Sequence, residues 1–147
     1  MVQKIDDIII QKTSRLMIPF MQLYSLYVLV HGHGSPGGGF QGGCVLAASF
    51  ILMVFAFDIE FLKKKFSERN LLLFCCIGVF IYVGTGFLCI LLGGKFLDYS
   101  FLSKILPCTP IMARYYGMAI IETGVQITVM AVMVSILLDL ATVGNLE

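Results

Sequence analysis

The chain has 147 residues, 59% of them hydrophobic and 13% charged, with a formal net charge of +1. A soluble domain carries about a quarter charged residues, so this composition excludes an ordinary soluble protein, and a near-neutral charge gives no reason to expect a nucleic-acid partner. The length suits a single domain over residues 1–147 and is too short for two.

In chain order, Ile5, Ile8 and Ile9 recur at helical spacing among Asp6, Asp7 and Lys12, as in a short surface helix leading into a membrane. The apolar run that follows ends in His31-Gly32-His33 rather than a small-residue cleavage pattern, so it does not read as a signal peptide. A bilayer core of about 30 Å asks for roughly 20 apolar residues per helix. Residues 13–31, 38–57, 71–92 and 115–138 are the expected spans. The first is interrupted by Pro19 and Gln22 and needs Arg15 to snorkel to the interface. Backbone polar groups in lipid need internal partners, so the spans are expected to be helices. The ten-residue alternating segments of a barrel are missing. The expected fold class is therefore an all-α membrane protein with four transmembrane helices.

The polar loop "FLKKKFSERN" joins spans two and three, and the half-apolar stretch "KFLDYSFLSKILPCTPIMAR" joins three and four. The latter is expected on the interface or against a neighbouring subunit. The amino terminus and the second loop hold seven Lys and Arg, including Lys63, Lys64, Lys65 and Arg69, against three in the third loop. The positive-inside rule thus puts both termini in the cytoplasm. Tyr27, Tyr99, Tyr115 and Tyr116 then fall at the outer interface, where aromatic belts sit. The lysine run reads as an anchor to anionic lipid.

Between spans one and two lies "HGHGSPGGGFQGG", residues 31–43, with seven glycines and one proline. It has no lysine for a phosphate-binding P-loop, and a membrane helix rather than a strand precedes it, which argues against a dinucleotide fingerprint. Gly38 and Gly42 stand four apart, as do Gly39 and Gly43, with Ala47 extending the second row. Small residues so spaced let helix backbones approach closely. Pro36 suits a helix start or the turn before it. The segment reads as a tight, partly buried outer turn, with a flexible linker as the alternative.

These residues carry a resemblance. G-H-x-S-P-G-G-G-F-x-G-G, Gly32 to Gly43, resembles the signature of the B-type chain of Mrp-type multisubunit cation/proton antiporters, the MnhB domain family. That domain also occurs in the membrane arms of energy-converting, membrane-bound hydrogenases and related complexes. "IETGVQITVMAVMVSILLDL", Ile121 to Leu140, is similar to the family's last helix. Gly34 stands where the family commonly has asparagine or aspartate, and Gln41 where it has an apolar residue. The resemblance covers nearly the whole chain. It implies a small accessory subunit in the inner cell membrane, with other membrane subunits of an Mrp-like or hydrogenase-type complex as partners. It implies Na+ and H+ as the transported ions, carried mainly by the large subunits.

Glu122 is the one charge deep inside an apolar span. Acids at such depth cost about 2.5–3.5 kcal/mol on insertion scales and are functional candidates by default. Ranked by depth, Gln126 on the same face of helix four, Tyr82 and Thr85 on helix three, and Gln22 and Ser25 on helix one can share its layer. Together they are the candidates for a proton or sodium path, the alternative being a hydrogen-bonded helix adhesive. His31 and His33 titrate near neutrality when unperturbed and are candidates for pH sensing or for tying down the turn. Gly117 and Gly124 join Thr128, Ala131 and Ser135 in a packing stripe well around the helix from Glu122, and Asp139 is expected to make a helix-end or partner contact.

Cys44, Cys75, Cys76, Cys89 and Cys108 form no C-x-x-C pair and read as small hydrophobes rather than ligands. No catalytic, metal-binding or cofactor motif stands out, so a transport subunit without resident cofactor, not an enzyme, is expected. A self-contained small proton-coupled exporter is the rival from another class. That class carries its buried acid in the first helix and has no proline-glycine turn of this kind.

Overall fold

The computed structural model describes residues 8–32, 37–57, 62–63 and 66–143. The described residues are helical with connecting turns, in the order α1 (Ile8–Val30), α2 (Gly39–Phe57), α3 (Glu68–Leu91), a 3-10 helix (Tyr99–Lys104) and α4 (Pro110–Val143). His33, Pro36 and the segment holding Ile5 lie outside the described residues, as do Lys64 and Lys65.

Among the described residues, three helices rather than the expected four, α2, α3 and α4, are long and apolar enough to cross a membrane. The correction concerns α1. It has 23 residues, ample length, but Gln11, Lys12, Arg15 and Gln22 dilute its apolar content. Pro19 sits inside α1 without ending it. At the other extreme, α4 has 34 residues, about 51 Å at 1.5 Å per residue, well beyond a hydrocarbon core of about 30 Å. It begins at Pro110, five residues before the expected span, because Thr109 opens it. The Thr109 carbonyl accepts from Ala113 N at 2.9 Å and its hydroxyl from Met112 N at 3.4 Å. Threonine before a proline at the first helical position is a favourable helix start.

The helices pack in the lateral order α1–α2–α4–α3. Ser25 meets Gly42 and Arg15 lies over the Phe57 ring, so α1 and α2 are antiparallel. Gly39 rests on Glu122 and Gly43 on Gln126 and Val129, so α2 and α4 run in parallel. Gly78 rests on Gly124 and Thr128, and Leu71 joins Val134 and Leu138 in one core cluster, so α3 returns antiparallel along the other side of α4. That cluster also holds Ile18, Ala47, Val54 and Met130. Large apolar side chains cover the outer faces of α1 and α3, among them Leu16, Phe20, Leu23, Leu72, Phe80 and Phe87. In water such a surface would be a liability; in a bilayer or against other subunits it is the normal exterior.

The stretch between α3 and α4 folds back on its own helices. Phe96 covers Gly86, Phe101 covers Gly94 and Tyr99 covers Gly117. Leu102 packs with Cys89 and Ala113. Lys104 Nζ donates to the Leu92 carbonyl at 2.8 Å and sits 4.9 Å from the Phe101 ring centre. Gly86 on α3, Gly94 just past it and Gly117 on α4 leave the room into which these aromatic rings lie.

Candidate functional site

The site is built from polar side chains that helical spacing places on one face of α4 and on the facing turn of α1. Glu122 and Gln126 stand four apart and share a face. Gln126 and Ser25 are buried, at 3% and 0% exposure. Ser25 Oγ donates to the Gly42 carbonyl at 2.8 Å, and Gln126 Nε2 donates to Ser25 Oγ at 2.8 Å. A longer contact of 3.4 Å joins Nε2 to the Ser25 carbonyl. The chain of bonds ties α4 to α1 and α1 to α2, satisfying groups that would otherwise be stranded in an apolar interior.

The glycines make this approach possible. A Cβ on Gly39 would collide with the Glu122 backbone, and one on Gly43 would stand 2.9 Å from the Gln126 carbonyl oxygen. On Gly42 it would stand 3.0 Å from the Ser25 carbonyl and 3.1 Å from Gln126 Nε2. Gly39 and Gly43 admit α4, while Gly42 lies against both α1 at Ser25 and α4 at Gln126. On the far face of α4, Gly124 receives α3 at Gly78 and Ile81, and Gly117 receives Tyr99. Both faces of α4 are thus used within the chain.

One turn before Gln126, the Glu122 side chain lies against Gly32 just past the end of α1 and Gly38 just before α2. A Cβ on Gly32 would stand 2.7 Å from Oε2, and one on Gly38 would stand 3.5 Å from Oε1. Oε2 is buried and has no hydrogen-bond partner among the described residues. A buried acceptor left unmatched costs about 1–3 kcal/mol, more when charged. Glu122 lies twelve residues into α4, about 18 Å along it, level with Gly32 and Gly38.

The other sequence candidates fall elsewhere. Thr85 Oγ1 donates to the Ile81 carbonyl of its own helix at 2.7 Å. Tyr82 lines a shallow depression with Gly78, Val125 and Thr128, on the α3 side of α4. Neither belongs to the hydrogen-bonded set of Ser25, Gly42 and Gln126. Gln22, one turn before Ser25, is half-buried and also outside that set. His31 is exposed; its ring stacks on Tyr27 at 4.1 Å between centroids, and Nδ1 lies 3.1 Å from the Tyr27 carbonyl. Gly78, which sequence reasoning did not single out, meets the Gly124–Thr128 face of α4 from α3. Among the described residues, no group of three His, Cys, Asp or Glu is placed to hold a metal ion.

Long apolar helices, glycine-mediated backbone contacts and a polar cluster closed within the interior define a multi-pass helical membrane protein. Residues 9–135 match the family described as "Domain related to MnhB subunit of Na+/H+ antiporter", and the chain belongs to that family. It is 28% identical over 145 residues to the B-type chain of the Na(+)/H(+) antiporter of Bacillus subtilis (strain 168), covering 99% of this chain and 98% of the relative. It is 28% identical over 141 residues to an mnhB2 chain of Staphylococcus epidermidis, and 27% identical over 140 residues to one of Staphylococcus aureus (strain Newman). Each of these two alignments covers 94% of this chain and 96% of the relative. These relatives are named as antiporter subunits.

Proposed function

We propose that the chain is the small B-type component of a Na+/H+ antiporter in the cell membrane, and that Glu122 takes up and releases protons beside the ion path of the assembled complex. The observation that carries this reading is the buried, unmatched Glu122 Oε2 beside Gly32 and Gly38. Gln126 and Ser25 hold the helices around the carboxylate in register without consuming its hydrogen-bonding capacity. The names of the relatives favour the free-standing antiporter over the membrane arm of a redox complex. Replacing Glu122 with glutamine tests the reading: sodium-dependent proton exchange by the assembled complex should fall, and unchanged exchange at equal assembly would overturn it.

The same reading places α1 in the bilayer beside α2, with both termini cytoplasmic. Its support is the antiparallel packing of α1 along α2 and the apolar outer face of α1. Lys12 and Arg15 then reach the inner interface by snorkelling. Single cysteines at position 2 and at position 146 should react with an impermeant thiol reagent only in inverted vesicles. Labelling of position 2 from the outside would leave α1 off the membrane-crossing set.

A further inference from the structure

Away from Glu122, at the end where α3 begins and α4 finishes, a groove of about 500 Å³ runs between these two helices. It extends from Glu68 to Cys76 along α3 and from Ala131 to Asp139 along α4, about 12 Å or two turns. Cys75, Ala131 and Ser135 give it a shallow floor of small residues, while Leu72 and Ile136 stand exposed as its walls. Glu68 and Asp139 line the same end and both are exposed. Neither carboxylate forms an ion pair among the described residues. The groove is thus apolar along its length and twice negative at one end.

We propose that this groove seats a transmembrane helix of another subunit of the complex, one that brings a lysine or arginine to within a turn of its own end beside Glu68 and Asp139. Three features select that occupant. Small floor residues permit a helix, rather than only a flexible chain, to come close. Two exposed carboxylates lining one end of the groove attract a cation carried by the helix that fills it. The chain also belongs to a family related to an antiporter subunit, so helices of other subunits are available to fill the groove. The inference concerns assembly and holds whether or not Glu122 handles protons.

A photo-crosslinking amino acid at Ser135, in the intact complex in its own membranes, tests the proposal directly. The expected product is one adduct with a partner subunit, mapped by mass spectrometry to a transmembrane helix with Lys or Arg within four residues of the crosslinked end. Substituting Asp139→Lys should cut that adduct at least tenfold, and reversing the partner's cation to Glu should restore it. Leu72, on the wall, serves as a second crosslinking site if the Ser135 variant does not assemble. An adduct with lipid, with a second copy of this chain, or with a helix bearing no cation there overturns the proposal, as does a fully assembled complex giving no adduct from either site.

Discussion

Gln126 and Ser25 stand 101 residues apart in the chain and share a hydrogen bond of 2.8 Å between buried side chains. That bond couples the last helix to the first, while Ser25 in turn holds the Gly42 carbonyl of the second. Three helices are fixed to one another at the level of the carboxylate that lies against Gly32 and Gly38.

Removing the hinge of this set should loosen all three contacts. Ser25→Ala leaves Gln126 Nε2 with only the long contact to the Ser25 carbonyl. Interhelical hydrogen bonds in membranes average about 0.6 kcal/mol, with measured values up to about 1.7, and the upper end is expected here because the site is closed. Thermal unfolding of the purified complex should show a lowered midpoint. Ser25→Thr, which keeps the hydroxyl but adds a methyl, separates loss of the bond from crowding.

The glycine contacts predict a sharper contrast. Gly39→Ala and Gly43→Ala each push a methyl into α4 backbone or Val129, and overpacking of this kind costs about 1–3 kcal/mol or more. Both variants should assemble poorly. Gly84→Ala is the control, since the nearest atom to its added methyl is Phe80 Cε1 at 3.9 Å and alanine is the better helix former. Immunoblotting of the chain in the assembled complex should rank Gly84→Ala with the parent and the other two far below.

The loop between α3 and α4 should respond to acid. Asp98 accepts from the Ser100 hydroxyl and backbone at the start of the 3-10 helix. The Ser100 side-chain hydrogen bond, then the Ser100 backbone and the charges of Arg114 and Lys95, hold the Asp98 carboxyl below its ordinary 3.8, against some desolvation. A carboxyl whose value is lower in the folded state stabilises that state above its unfolded value, and the contribution disappears as pH falls through the folded one. Hydrogen exchange of residues 98–106 should therefore speed up, beyond the intrinsic chemistry, as the pH drops below the ordinary aspartate range. Asp98→Asn should show fast exchange with no such acid step.

How much of this was legible follows from what each signal encodes. The pairing of Gln126 with Ser25 follows from the need to match a polar side chain in an apolar run, and spacing of four puts Glu122 on the face of Gln126. Tyr82 and Thr85 share the depth of that layer but not its direction. Gly124 lies two residues from Glu122, about 200° around the helix, and α3 docks on that side. Depth along a helix reveals nothing about which of two faces a neighbour will choose. The four-residue glycine spacing did not reveal that Gly39 and Gly43 face α4 while Gly42 touches both α1 and α4. The start of α4 was written in Thr109-Pro110, a capping signal that hydropathy alone passes over. The membrane-crossing standing of α1 was least legible, because Gln11, Lys12, Arg15 and Gln22 dilute a helix whose neighbours are uniformly apolar.

The claim on which the account turns is that Glu122 exchanges protons rather than merely gluing helices. Its most direct test is the initial rate of sodium-driven proton movement in inverted membrane vesicles, comparing Glu122→Gln with Glu122→Asp at matched amounts of assembled complex. The account predicts at least a tenfold loss with glutamine, which keeps the shape but cannot titrate, and a smaller loss with aspartate. Equal rates for the parent and the glutamine variant would contradict it.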